Sequence, residues 1–143
     1  MNRGGYKQHN QYNQVQIKTA NKGKLIVMLY QDAISFMNQA LLILEKEDMD
    51  SKGNALIRAQ DVILELLYSL DQGLLDQGEE LALNLQRLYL YSYRRLVHAN
   101  VHMDTEAVEE VIKLMQNLLQ AWEQVALNSG SGGANPSPSP SVV

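Results

Sequence analysis

The stretch NKGKLIVMLYQDAISFMNQALLILEKE, residues 21–47, decides the fold. Its apolar side chains recur every three or four residues, at Ile26, Leu29, Ala33, Phe36, Ala40 and Ile43/Leu44. This spacing places them along one side of an α-helix. Asn21 belongs to the residue types favoured at a helix N-cap. The sequence therefore predicts a long amphipathic helix over 21–47.

Two further stretches show the same periodicity. A second helix is predicted over about 50–71, with Asp50 or Ser51 as its N-cap. A third is predicted over about 79–101, after a short break bracketed by two glycines. The inward residues predicted for the second helix are Leu56, Ala59, Ile63, Leu66/Leu67 and Leu70. Those predicted for the third are Leu81, Leu85, Leu88, Ser92, Leu96 and Ala99.

A fourth helix is predicted to begin at Asp104 or Thr105, either of which suits an N-cap, and to reach about residue 127. Its predicted inward residues are Val108, Val111/Ile112, Met115, Leu118/Leu119, Trp122 and Val125. Connections of a few residues make successive helices antiparallel. The predicted fold class is therefore all-α, an antiparallel up-down four-helix bundle.

The two ends of the chain differ in composition from this middle. Residues 1–24 hold five basic and no acidic side chains, whereas residues 25–143 hold seven basic and sixteen acidic ones. The chain is therefore predicted to divide into a flexible N-terminal arm (1–20), a bundle domain (21–127) and a disordered Gly/Ser/Pro-rich tail or linker (128–143).

Composition disfavours several classes of protein. The chain has no cysteine, which excludes a disulfide scaffold, thiolate metal sites and thiol catalysis. Its net charge of −4 speaks against a nucleic-acid binder. No apolar run approaches the roughly 18 residues of a membrane span, and the N-terminus lacks the apolar segment of a signal peptide. No phosphate-binding loop or nucleophile elbow is present.

Two pairs of polar residues on the third helix could bind a metal ion or a partner. His98 and His102 are four residues apart, the spacing of a two-ligand metal site. A solvated pair near a helix C-terminus, favoured by the helix dipole, is the better explanation, so no metal site is predicted. Arg94 and Arg95 are expected to be solvated beside acidic neighbours. The alternatives are a cation–π contact with a tyrosine or a clamp on a partner's carboxylate.

The helices carry more apolar surface than the inside of a small bundle needs. Residues 25–30 are apolar through more than a full turn, and Leu83, Leu90 and Val97 lie about a quarter turn off the seam of the third helix. Such residues either complete a well-packed core or form an apolar groove that receives a helical or extended partner.

The ordered set of residues resembles the family of the flagellar secretion chaperone FliS. The segment from Leu88 to Asn100, Leu-Tyr-x-Tyr-x-x-Arg-Arg-Leu-x-x-Ala-Asn, carries the resemblance most strongly. It is joined by Met28-Leu29-Tyr30 in the first helix and Ala121-Trp122 in the fourth, so that the likeness extends from about Tyr12 to Trp122. One departure is Leu90, which stands where the family usually has an acid between the third-helix tyrosines.

The resemblance implies a cytoplasmic export chaperone without enzyme activity or cofactor. It implies two partners: the C-terminal segment of flagellin, disordered in the monomer, and the cytoplasmic domain of the export-gate protein FlhA. The chaperone would prevent premature polymerisation and deliver flagellin to the flagellar type III export gate. No nucleic acid and no membrane insertion are expected, and a weak homodimer is compatible with the client-free state.

Seven residues are predicted to line the flagellin groove: Leu25, Met28, Leu29, Ile63, Leu67, Leu90 and Tyr91. For gate docking, the resemblance points to Tyr12, and Ile17 is added as a nearby apolar residue of the arm. Two other functions remain open: a helical adaptor or export chaperone with a different client, and a metal-binding helical-bundle enzyme that uses His98, His102 and nearby acids.

Overall fold

A computed structural model describes residues 22–46 and 49–130, with side chains at 22–46 and 54–125. Within these residues the helices are α1 (Lys22–Glu45), α2 (Met49–Tyr68), the short α3 (Gln72–Asp76), α4 (Glu80–His102) and α5 (Thr105–Gly130). The predicted N-cap Asn21, the arm and residues 131–143 of the tail lie outside the described residues.

The four long helices enclose one apolar core. α1 packs against α2 and α5, and α4 packs against α2 and α5, so each long helix has two long neighbours. Because the connections are short, successive long helices run in opposite directions. The all-α bundle predicted from the periodicity is confirmed.

The connection between α2 and α4 differs from the prediction. α2 ends at Tyr68, earlier than predicted, and Asp71 instead starts a new helix, because its Oδ1 accepts a hydrogen bond from the Leu74 N–H at 3.1 Å. The predicted break thus contains α3. Gly78, with φ of +75°, then turns the chain in a conformation that favours glycine.

The predicted cap Asp104 of α5 is confirmed, Glu79 caps α4, and two predicted helix limits are wrong. Glu79 caps α4 by accepting hydrogen bonds from two backbone N–H groups, both at 3.0 Å, and Asp104 Oδ1 accepts from the Ala107 N–H at 3.2 Å. α2 begins at Met49, so the predicted caps Asp50 and Ser51 lie inside the helix. α5 continues to Gly130, beyond the predicted end at 127.

The inward faces of α1 and α4 are rotated slightly from the predicted seams. In α1, Met37 is fully buried, whereas Phe36 is half-buried with the Arg58 guanidinium 5.7 Å from its ring centre. In α4 the buried positions form what we call the inner stripe, Ala82, Leu85, Tyr89, Ser92, Leu96 and Ala99. The predicted Leu81 is 38% exposed and Leu88 is only half-buried. Small residues at 82, 92 and 99 let the backbone of α4 approach the core on this face.

Three aromatic side chains from α1, α4 and α5 meet in the core and form what we call the buried aromatic cluster. Trp122 Nε1–H donates to the Tyr30 hydroxyl at 3.2 Å, and the hydroxyls of Tyr30 and Tyr89 share a hydrogen bond of 2.6 Å. Burial raises the pKa of Tyr30 to about 12, and burial likewise raises the pKa of Tyr89. The cluster links three of the four long helices through polar groups that have no access to water.

α1 is apolar enough for the question of a membrane span to arise. It has 24 residues and a window of mean hydropathy 1.3, values that the core helix of a bundle also reaches. Its buried face packs against α2 and α5, while Lys24, Gln31, Asn38 and Gln39 are exposed on the other side. Packing in the bundle accounts for part of the apolar character of α1, since 33% of that window is buried, and residues such as the 59%-exposed Leu42 add apolar surface outside the core.

Candidate partner-binding surface

The residues predicted for the groove fall into three groups in the structure. Leu25, Met28, Leu67 and Leu90 are half-buried, and Leu25 and Leu67 pack against the core. Leu29 and Ile63 are 3% and 0% exposed and belong to the core, so neither presents a surface to a partner in this conformation. Tyr91 is 43% exposed but lies on a different flank of α4 from Leu90.

The topology brings three of the half-buried residues to one end of the bundle. α1 begins, α2 ends and α4 begins at this end, because α2 runs antiparallel to both of its long neighbours. Leu25 and Met28 lie in the first two turns of α1, and Leu67 lies in the last turn of α2. Tyr68, beside Leu67, is 77% exposed and adds a large ring to this end.

α2 also carries apolar residues on its outer face. Ile57, Leu64 and Tyr68 are spaced by seven and four residues, which places them along the same side of the helix. Ile57 is 50% exposed and Leu64 is half-buried. Sequence reasoning did not place Ile57 or Tyr68 among the groove residues, although their spacing relative to the inward residues Leu56 and Ile63 was a signal that could have identified them.

α4 carries a second periodic face, which we call its outer stripe. It consists of Leu83, Arg87, Leu90, Arg94, Val97 and Val101, separated alternately by four and three residues. This is the spacing of positions that lie along one side of a helix. Val97 and Val101 are 39% and 69% exposed, and Leu83 and Leu90 are half-buried. Exposed apolar side chains on a helix that already has a buried face make the outer stripe a candidate interaction surface.

Tyr91 is held on the flank of α4 that faces α5. Its hydroxyl donates a hydrogen bond to Glu110 Oε2, and Arg95 Nε donates to Glu110 Oε1 at 2.9 Å. The bond to Glu110 raises the pKa of Tyr91, and the bond from Tyr91 lowers the pKa of Glu110. Arg95 thus has the acidic neighbour expected of it, whereas Arg94 is exposed and has no ion pair within the described part of the chain.

The two histidines of α4 lie at its C-terminal end. Their ring centres are 4.5 Å apart, and His98 Nε2 is 3.1 Å from Asp104 Oδ2. The Ala107 N–H, followed by His98, lowers the pKa of Asp104. Among residues 22–46 and 49–130, no group of three histidine or carboxylate side chains comes together as a metal site would require. This arrangement is that of a helix cap.

The predicted gate residues Tyr12 and Ile17 lie outside the described residues. What the structure does place on the surface is a set of aliphatic, phenolic and guanidinium groups along α2, α4 and the start of α1. Aromatic and guanidinium groups of this kind are enriched in protein–protein interfaces.

Comparison with known proteins agrees with this picture of a binding protein. The sequence model of the family described as "Flagellar protein FliS" matches residues 5–129. The flagellar secretion chaperone FliS of Salmonella typhimurium is 40% identical over 111 residues, which cover 77% of this chain and 80% of that protein. The FliS of Bacillus subtilis is 35% identical over 127 residues, covering 85% of this chain and 92% of that protein. The FliS of Escherichia coli is 35% identical over 113 residues, covering 78% and 81%. With a family match that spans most of its length and relatives at these identities, the chain belongs to the FliS family of flagellar secretion chaperones.

Proposed function

We propose that this protein is an export chaperone that binds the disordered C-terminal segment of flagellin in the cytosol. Binding covers the segment, prevents premature polymerisation and allows delivery to the flagellar type III export gate through the cytoplasmic domain of FlhA. The protein acts by binding alone and catalyses no reaction. The observation that carries the proposal is the apolar surface along α2, α4 and the first turns of α1, in a chain of the FliS family.

The energetics of binding a disordered segment require a surface of this extent. Ordering each residue of the client costs about 1–2 kcal/mol of backbone entropy. Fully burying one aliphatic or aromatic anchor returns about 1.5–3 kcal/mol. Affinity therefore needs an anchor for almost every residue or two that is ordered, which a long face supplies and a single pocket does not. Tyr68, Ile57 and Val101, each at least half exposed, are anchors of this kind.

Calorimetry with a flagellin C-terminal peptide tests the proposal. We expect binding with a large negative heat-capacity change, because apolar burial is coupled to folding of the peptide. Met28→Glu, which puts a charge among the apolar residues at the start of α1, should weaken binding by at least ten-fold while the helical content is unchanged.

Leu42→Glu is the matched control for Met28→Glu. Leu42 is 59% exposed on the same helix, about 21 Å further along at 1.5 Å per residue, and should bind as the unchanged protein does. No detectable binding by the unchanged chain would refute flagellin as the client. Equal loss from Met28→Glu and Leu42→Glu would remove the start of α1 from the proposed surface.

Gate docking is proposed for Tyr12 and Ile17 on the resemblance alone. In a pull-down with the cytoplasmic domain of FlhA, Tyr12→Ala should reduce capture of the chaperone–flagellin complex while flagellin affinity stays the same. Capture that is unchanged in Tyr12→Ala and in Ile17→Ala would place gate docking elsewhere.

A further inference from the structure

The charges on α4 differ from those of the rest of the bundle. Between Leu81 and His102 the helix carries Arg87, Arg94 and Arg95 and no acidic side chain. Residues 25–143 as a whole hold seven basic and sixteen acidic side chains. α4 is thus a basic strip on an acidic domain.

Arg87 and Arg94 stand apart from Arg95 in what they contact. Arg95 is paired with Glu110 of α5. Arg94 follows Leu90 by four residues and is exposed, without an ion pair in the part of the chain that the structure describes. Arg87 is also exposed, and its contact is to a neutral group, the Asn84 Oδ1 at 2.9 Å. Two guanidinium groups are therefore available to a partner, one heptad apart.

Both arginines belong to the outer stripe, where they alternate with apolar residues. The stripe reads Leu83, Arg87, Leu90, Arg94, Val97, Val101, with alternate spacings of four and three. A 3.5-residue average repeat is what keeps one helix in contact with a second helix along its length. From 83 to 101 the stripe is about 27 Å long at 1.5 Å per residue.

We propose that the outer stripe of α4 binds a helical part of the flagellin segment, and that carboxylates seven residues apart on this helix pair with Arg87 and Arg94. The inference rests on the proposed function and names the form and charge pattern of the client at this surface. Apolar side chains of the client helix pack between Leu83, Leu90 and Val97. Guanidinium groups bind carboxylates in a bidentate geometry, so the two arginines set the register of the client helix.

The experiment measures the affinity of the full chain for a flagellin C-terminal peptide at roughly 50 mM and 500 mM NaCl, a range over which surface charge pairs are screened. Arg94→Glu should weaken binding by at least ten-fold at low salt, with a smaller loss at high salt. Lys113→Glu, on the exposed surface of α5, makes the same change of charge away from the stripe and should stay within about two-fold of the unchanged protein.

Charge reversal in the client tests the register. In the double variant Arg87→Glu/Arg94→Glu, lysine replacing a pair of client carboxylates seven residues apart should restore most of the lost affinity. Failure of every such pair to restore binding would overturn the heptad pairing.

The outcomes separate this inference from the proposed function. If the unchanged chain does not bind the peptide, the proposed function fails. If the unchanged chain binds and Arg94→Glu binds equally well at low salt, or Lys113→Glu loses as much affinity, the inference fails alone. If Arg94→Glu dissociates a homodimer in sedimentation and leaves flagellin affinity unchanged, the stripe belongs to a second copy of this chain and the inference is overturned.

Discussion

Removing the Tyr30 hydroxyl should destabilise the bundle more than removing the Tyr89 hydroxyl, because Tyr30 occupies the middle of the buried aromatic cluster. Its oxygen accepts from the Trp122 N–H and shares a second hydrogen bond with Tyr89. Tyr30→Phe takes this shared partner from both groups, which then have only each other, since the Trp122 indole is close enough to the Tyr89 hydroxyl to offset part of the rise that burial causes in the pKa of Tyr89. Tyr89→Phe leaves only the Tyr30 hydroxyl short of one bond, and that hydroxyl still accepts from Trp122.

The size of the effect follows from the cost of an unpaired buried group, about 1–3 kcal/mol each. Tyr30→Phe removes two buried hydrogen bonds, so the free energy of unfolding should fall by about 2–4 kcal/mol, after deduction of the desolvation cost that the deleted hydroxyl no longer carries. The lower value applies if the Trp122 N–H pairs with the Tyr89 hydroxyl in the variant. Tyr89→Phe should cost about 1–2 kcal/mol. The double variant orphans only the indole N–H and should therefore cost about 1–2 kcal/mol less than the sum of the single variants.

Urea unfolding followed by far-UV circular dichroism measures these differences. With a slope of roughly 1–3 kcal/mol per molar urea, Tyr30→Phe should lower the midpoint by about 1–2 M without changing the slope. Tyr68→Phe is the control, because it deletes the same hydroxyl from a ring that is 77% exposed, and its midpoint should not move. A loss in Tyr89→Phe equal to that in Tyr30→Phe, or strict additivity in the double variant, would refute the assignment of Tyr30 as the shared partner.

Further predictions concern stability. Burial raises the pKa of Tyr30 from 10.0 to about 12, so the unfolded chain loses this proton at a lower pH than the folded chain. The free energy of unfolding should therefore be unaffected by this group below pH 10 and fall above it. In urea unfolding measured as a function of pH, the fall should be shallower in Tyr30→Phe/Tyr89→Phe. Glu79→Ala removes the side chain that caps α4 and should lower the free energy of unfolding by about 0.5–2 kcal/mol in urea, whereas Glu79→Asp should keep most of it. Met103 follows the last residue of α4 with φ of 54°, a left-handed conformation that glycine adopts without strain. Met103→Gly should therefore raise the free energy of unfolding by up to about 1 kcal/mol, seen as a higher melting temperature, and a lower melting temperature would contradict strain at this residue. The Ser92 hydroxyl is buried with no hydrogen-bond partner in the described part of the chain, so Ser92→Ala should be neutral or stabilise the fold by about 1 kcal/mol in calorimetric melting; clear destabilisation would show that this hydroxyl has a partner.

Periodicity identified the long helices, and it was least informative about their rotation. α4 has apolar residues at 81, 82, 83, 85, 88, 89 and 90, which surround the helix, so hydrophobicity alone does not say which side faces inward. The structure buries Ala82 and Tyr89 and leaves Leu81 38% exposed. Tyr89 is drawn inward by a partner on another helix, the hydroxyl of Tyr30, and no local pattern contains that information.

The sequence predicts that an apolar surface exists, but it predicts less well which residues belong to it. Excess apolar residues at the start of α1 and off the seam of α4 predict an interaction surface, and the half-burial of Leu25, Met28, Leu67 and Leu90 is compatible with a groove and with core packing alike. Leu29 and Ile63 were chosen from apolar runs in which inward and outward residues alternate too quickly to be told apart without the neighbouring helices. The position of Tyr91 depends on Glu110 of α5, nineteen residues away in sequence, so local periodicity does not determine it.

The buried aromatic cluster also gives the protein an optical probe of its own. Trp122 is the single tryptophan of the chain, is 7% exposed and donates its indole N–H to a tyrosine that contacts a second tyrosine. Excitation of these tyrosines transfers to the indole at such short range, and the emission of a buried indole lies at shorter wavelength than that of one in water. The outer stripe of α4 lies about a quarter to a third of a turn around that helix from Tyr89, and Trp122 itself is buried in the core. Tryptophan emission should therefore report opening of the bundle and remain nearly constant when a client lacking tryptophan binds, so that folding can be followed without interference from binding.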